Sequence, residues 1–342
     1  MERYKKIMYT FLASTSLCGL ILTSQFSVVN AVDTVSNAAK DPTEVPEPIN
    51  RSNPKTVAIN LVAKEVVAEL TPGKQFWFWT FAEKKGDVIG QATVPGPMIR
   101  VMEGDTVVIN LTNDLGNVEP HNIDFHAGFG AMLEDIAVGQ TETLTFKAKR
   151  EGTYIYHCSG EGMPWEHVAY GMYGLIVVEP KGGLSRVDKE FYIGQGDWYI
   201  KQGIEPYPDI DGYSLDEDKA SEEQPDYYTF NGHTQALADE NIYGNAITVN
   251  EGESVRVFFV TGGPNKGSNF HIIGQIFDKF CPGHSRTIIR NEETAYVPPG
   301  SAATFEFEAS GPGDLALKSG WCKLTSGGAK RIISRHFFGR LS

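Results

Sequence analysis

The sequence predicts an all-β chain made of two tandem β-sandwiches. Three observations carry this. Short runs rich in Val, Ile, Thr, Phe, Tyr and Trp, alternating or wholly apolar, recur between turn signals from Thr56 onward. Two phrases in the first half return in the same order in the second: EGDTVVINL (103–111) as EGESVRVFFV (251–260), and VGQTETLTFKAKREGTY (138–154) as PPGSAATFEFEASGPGDL (298–315). Such echoes are the mark of an internal repeat. The 342 residues are also enough for two cores of that size.

Residues 1–31 read as a secretory signal. Arg3, Lys5 and Lys6 give a basic start, an apolar run follows through Leu22, and Val29-Asn30-Ala31 is a small-residue cleavage site. The run is short for a membrane span and broken by Ser and Thr. Leu17 before Cys18 speaks against a lipid anchor. An exported protein, periplasmic or at the cell surface, is expected. Residues 32–55, with DPTEVPEPINRSNPK, read as a flexible N-terminal arm. The first sandwich is assigned to 56–182, from VAINLVAKEVVAEL and KQFWFWTFAE to the closing LIVVEP. PKGGLSRVDKE is a junction, and 183–342 forms the second sandwich, with strands in EFYIGQGDWYI, AITVNEGESVRVFFV, NFHIIGQIF and TAYVPPGSAATFEFEAS. The acidic, aperiodic stretch 204–228 reads as a long surface loop.

The formal charge is −13, and removal of the first 31 residues makes it more negative still. Such a surface repels nucleic acid and anionic lipid and favours basic partners. Of the four cysteines, Cys18 lies in the leader and Cys281 and Cys322 stand as a disulfide or as two separate thiols.

The fourth, Cys158, carries the chemistry. His167 follows it by nine residues and Met172 by five more; HNIDFH at 121–126 offers a distant histidine. Two imidazoles, one thiolate and a weak axial thioether make the trigonal site of a blue copper. A lone cysteine among scattered histidines is more often core packing, and Cys/His sets are more often zinc, but the added Met at that offset in an all-β chain favours copper. Side chains alternate along a strand. His157 and Cys158 therefore diverge, and so do His121 and His126 if that segment is extended. This predicts two sites back to back: His121, Cys158, His167 and Met172 in one, His126 and His157 beginning another, with Asp124 on the side of His126.

HNIDFHAG, TYIYHCSGEGMPWEHVAYGMYGLIVVEP and FYIGQGDWY resemble the copper-containing nitrite reductases, and SNFHIIGQIFDK with PPGSAATFEF resembles their second domain. The resemblance runs from about residue 55 to about 317. It implies two cupredoxin-like Greek-key domains and a homotrimer. It also implies one-electron reduction of nitrite to nitric oxide, with electrons from a small soluble donor of cupredoxin or cytochrome c type. By the same resemblance type 1 copper takes His121, Cys158, His167 and Met172, and type 2 copper takes His126 and His157. The electron passes through Cys158-His157, Asp124 and His271 form the acid/base pair, and Ile273 walls the substrate pocket.

The match breaks at the third type 2 ligand, a histidine that the family draws from a neighbouring subunit. Its position falls at or beside Gly320, and no histidine occurs from 285 to 335. A lost ligand, a substitute (His284, Cys322 or His336) and a frame shift near 315–322, altering the tail through 342, are the three explanations. The alternative function is an electron carrier with only the type 1 site. A multicopper oxidase would need His-x-His motifs, and none of the eight histidines lies two residues from another.

Overall fold

The computed structural model describes residues 32–237, 249–283 and 287–310, with short stretches of backbone between 314 and 340. The leader 1–31 lies outside the described residues. Strand β1 (Asp33–Asn37) leads to the long hairpin of β2 (Thr56–Thr71) and β3 (Lys74–Lys85), then β4 (Val88–Ile89), β5 (Ile99–Met102), β6 (Thr106–Asn113), β7 (Asp124–Phe125), β8 (Thr141–Lys147) and β9 (Gly152–His157). A short helix α1 (Pro164–Ala169) precedes β10 (Tyr173–Glu179). One sheet runs β3-β2-β6-β8, and a second runs β5-β10-β9-β7. Phe76, Phe78, Phe81, Ile109, Leu111, Ile155 and Tyr156 are buried in the core they share.

The second half repeats the plan. After β11 (Lys189–Trp198), β12 (Ile200–Gln202), β13 (Tyr213–Leu215), helix α2 (Glu217–Ser221) and β14 (Tyr227–Phe230) come β15 (Ser254–Gly263), β16 (Ser268–Ile272), β17 (Lys279–Pro282), β18 (Thr294–Val297) and β19 (Ser301–Glu308). Backbone strands β20 (Asp314–Leu315), β21 (Leu317–Ser319) and β22 (Gly339–Arg340) follow. The sheets are β14-β11-β15-β19-β17 and β18-β16-β21. The two echoed phrases occupy matching places. β6 lies parallel to β2 and antiparallel to β8, as β15 lies parallel to β11 and antiparallel to β19.

Two expectations are corrected. The segment 32–55 is docked rather than free. β1 pairs with β2, Ala38 and Ala39 are buried, the Tyr192 N–H donates to the Pro42 carbonyl at 2.8 Å, and Arg51 binds the buried Asp105. Proline-rich composition conceals these contacts because each partner lies far along the chain. The stretch 204–228 is likewise no plain loop. β13 adds to the edge of the first sheet through Tyr213 opposite Phe76, and Ile204, Tyr207, Leu215 and Ala220 are buried. α2 is capped by the Asp216 carboxylate, which accepts the Lys219 N–H. Apolar residues spaced this widely show no period in sequence.

A buried ionic network ties these parts together. Arg100 binds Glu179 and, at 2.6 Å, Glu190, and also donates to the Pro46 carbonyl. Arg256 bridges Glu190 and Glu306, and Lys279 closes on Glu306. Elsewhere in the interior Asp197 accepts the Tyr199 hydroxyl at 2.5 Å and the Asn265 N–H at 3.3 Å. Burial nonetheless pushes its carboxyl up to about 6. Between its unfolded value near 4 and this raised one, the folded chain holds a proton that the unfolded chain has lost. Stability must therefore fall as pH rises through that window, by roughly 3 kcal/mol from this group. Asp197→Asn should lack this dependence, so the stability gap between variant and wild type should shift in the variant's favour from pH 4 to 6.5 in urea titrations. A pH-independent gap would mean Asp197 does not titrate there.

Candidate metal centres

The first centre lies at the end of the β5-β10-β9-β7 sheet. His121 enters from the bridge it makes with Ile136 just before β7, Cys158 follows the last residue of β9, and His167 projects from α1, whose start is set by Pro164. All three are buried, and their ligand atoms lie within 4.8 Å of one another. The Nδ1 atoms of His121 and His167 face each other at 3.4 Å, and Cys158 Sγ stands 3.9 Å from His121 Nδ1. A Cβ at residue 160 would come within 2.5 Å of His167 Cε1 and 3.0 Å of the Pro120 carbonyl oxygen, so Gly160 is what lets the loop close over the ring. Trp79 packs edge-on against both imidazoles, with centroids 5.4 and 4.9 Å away, and stacks on Tyr170 at 3.9 Å. Met172 is fully buried, and its carbonyl accepts the Cys158 N–H at 3.1 Å.

The electrostatics suit a metal. Burial holds His121 and His167 down to about 3, so both stay neutral with nitrogen lone pairs available. Burial also pushes the Cys158 thiol up to about 12, against the Asn122 N–H that donates to Sγ at 3.2 Å. A cation at this point reverses that preference, because a coordinating thiol is deprotonated outright. Two neutral imidazoles and one soft sulfur in a dry pocket fit copper. Met172→Leu conserves volume and should keep the fold. With the thioether among the residues that would hold copper, this change should raise the reduction potential by roughly 60 mV, a tenfold shift in a one-electron equilibrium. An unchanged midpoint in a spectroelectrochemical titration would remove Met172 from the ligand set.

The second group sits on the other side of the same peptide bond. Asp124 on β7 pairs in register with His157 on β9, and Asp124, His126 and His157 bring their ligand atoms within 4.8 Å of one another. The two Nε2 atoms of His126 and His157 are 3.1 Å apart. His157 Nδ1 lies 2.9 Å from the Cys158 carbonyl and donates to it, which leaves its Nε2 as the lone pair facing His126. Two facing imidazole nitrogens with a carboxylate beside them fit a second copper. His271 stands outside this group: on β16, its Nδ1 lies 2.6 Å from the Glu293 carbonyl. Ile273 follows in the turn after β16, half-buried. Gly320, His284, Cys322 and His336 lie outside the described residues, and Cys281 forms no disulfide among the described residues.

Sequence reading missed three residues that shape the first centre: Glu65, Asn122 and Trp79. Asn122 adjoins His121 and could have been suspected for that reason. Glu65 is an acid within the apolar run of β2, and that incongruity was its signal.

Tandem β-sandwiches, the first holding a buried Cys and two His with a buried Met beside them, define a two-domain cupredoxin-type copper protein. Comparison with known proteins narrows the class. A family model described as multicopper oxidase matches residues 79–183. The copper-containing nitrite reductase of Neisseria meningitidis serogroup A is 44% identical over 283 residues, covering 80% of this chain and 68% of its own length. That of Pseudomonas chlororaphis is 36% identical over 251 residues, 66% of each chain. Among solved structures, a copper nitrite reductase from Nitrosomonas europaea superposes with a TM-score of 0.69 at 28% identity, covering 84% of this chain and 94% of that one. A multicopper oxidase structure at 23% identity, with a TM-score of 0.65 over 90% of this chain and 98% of its own, shares the fold. The chain belongs to the copper-containing nitrite reductase family.

Proposed function

We propose that this protein reduces nitrite to nitric oxide, consuming one electron and two protons and releasing water. The observation that carries the reading is the pair of donor groups on opposite sides of the His157–Cys158 peptide. Copper at His121, Cys158, His167 and Met172 would supply a one-electron carrier, and copper at His126 and His157 a Lewis acid that holds nitrite through oxygen.

The chain's own residues do the rest. Asp124, half-buried beside His126 and His157, is placed to hold a proton and pass it to the oxygen that leaves as water. His271 keeps its Nδ1–H on the Glu293 carbonyl, so its Nε2 is the nitrogen free to relay the second proton. Ile273, one turn residue further on, would offer an apolar wall. His271 is not part of the Asp124, His126 and His157 group of one chain, and the family resemblance brings it to the site from a second copy. A closed homotrimer, in which each site is completed by a neighbour, provides that copy. The leader at 1–31 supports export, and the acidic surface suits a small basic electron donor.

Electron paramagnetic resonance of the copper-loaded mature protein, with copper counted per subunit and nitric oxide measured, tests the reading. Two coppers with distinct type 1 and type 2 signals and nitrite-dependent nitric oxide are expected. One copper with a type 1 signal alone would overturn it in favour of an electron carrier.

A further inference from the structure

Glu65 has no part in the function proposed above, yet its placement is costly. It lies in the middle of β2, opposite Trp79 on β3, with its side chain fully buried. A carboxylate taken out of water must be repaid by hydrogen bonds. Its Oε1 collects three: the Val118 N–H at 3.0 Å, the Glu119 N–H at 2.9 Å and His121 Nε2 at 3.1 Å. Its Oε2 has no partner among the described residues.

We infer that Glu65 is a positioning residue for the first metal centre, selecting the His121 tautomer that leaves Nδ1 free to bind copper. The two amides can only donate, and two donors converging on Oε1 leave any carboxyl proton to Oε2, so Oε1 acts as the acceptor toward His121 as well. His121 must then present a hydrogen on Nε2. A neutral imidazole with that hydrogen has its lone pair on Nδ1, the atom that faces His167 Nδ1 at 3.4 Å and Cys158 Sγ at 3.9 Å. The acceptor is itself fixed. The Glu65 N–H donates to Asn117 Oδ1 at 2.8 Å, and Asn117 Nδ2 donates to the Ala63 carbonyl and to Asn113 Oδ1. Val118 and Glu119 follow directly in the same loop. One turn thus supplies both the bracket for Glu65 and two of its three donors, and His121 comes two residues after Glu119. The ring is aimed before any metal arrives. An outer partner that fixes a histidine ligand typically contributes 10- to 100-fold in metal affinity.

The inference rests on His121 as a copper ligand, so its test begins without copper. Nitrogen-15 NMR of the metal-free chain should show His121 in the Nε2–H form; the Nδ1–H form would overturn the inference whatever the copper data say. Glu65→Gln keeps an acceptor oxygen and should keep both tautomer and type 1 copper affinity. Glu65→Leu should lose the tautomer preference and bind type 1 copper about 10- to 100-fold more weakly, read from the blue band in competition with a chelator. Affinity within twofold of wild type in the Leu variant would overturn the inference. If that variant does not fold, the wild-type tautomer and the Gln variant still decide. Failure of copper-loaded wild type to show a blue band would instead sink the metal-site reading, and this inference with it.

Discussion

Asp124→Asn should lower nitrite turnover at least a hundredfold while leaving the blue absorption band unchanged. The substitution keeps the shape of the side chain and its place opposite His157 in the β7–β9 ladder, but the amide cannot deliver a proton. A positioned general acid contributes about 10²- to 10⁴-fold. The blue band reports on Cys158, which lies in the other donor group, and so provides the internal control. The two readouts separate cleanly: loss of both would point to misfolding around β7 and β9, and full turnover would sink the proton-donor role. Assays at saturating nitrite with an artificial electron donor avoid dependence on the natural partner.

Arg100→Leu should destabilise the protein by about 3–5 kcal/mol, because it strands a buried charge. Arg100 is 1% exposed at its side chain and its partner Glu179 is fully buried. Without the guanidinium, Glu179 keeps, among the described residues, the Leu184 N–H at 3.0 Å and a long contact from the Ile49 N–H at 3.4 Å. The double variant Arg100→Leu, Glu179→Leu should recover much of the loss, since the cost lies in the unpaired charge more than in the missing attraction. Glu190 still has Arg256. Urea midpoints of the two single variants and the double variant give the coupling directly. A loss under about 1 kcal/mol in the single variant would mean that water reaches Glu179 once the guanidinium is gone.

Much of this architecture is legible in the sequence. Strand alternation, turn residues and the two echoed phrases gave the β-sandwich plan, because each strand states its own period locally. The spacing of Cys158, His167 and Met172 was legible for the same reason: one loop and one short helix carry all three. The alternation along 157–158 and 121–126 separated the donors into the two groups that the structure gathers. What stayed hidden depends on contacts between distant segments. Nothing in DPTEVPEPIN announces that Pro42 and Pro46 will accept from Tyr192 and Arg100. Nor does the acidic stretch near 213 announce that it adds a strand beside Phe76. Glu65 was invisible as a partner of His121 because 56 residues separate them.

The junction at His157 and Cys158 has a mechanical consequence. One peptide bond holds the backbone positions of His157 and Cys158 at a fixed separation, so the two donor groups stay adjacent whatever the packing around them. Thermal breathing of the sheets, crowding or a loosened core should alter the electronic coupling between them very little. An inserted or deleted residue is another matter, since it would turn one donor to the opposite face and merge or scatter the sets. Substitutions across the surrounding sheets should therefore be tolerated far better at this point than any change in chain length.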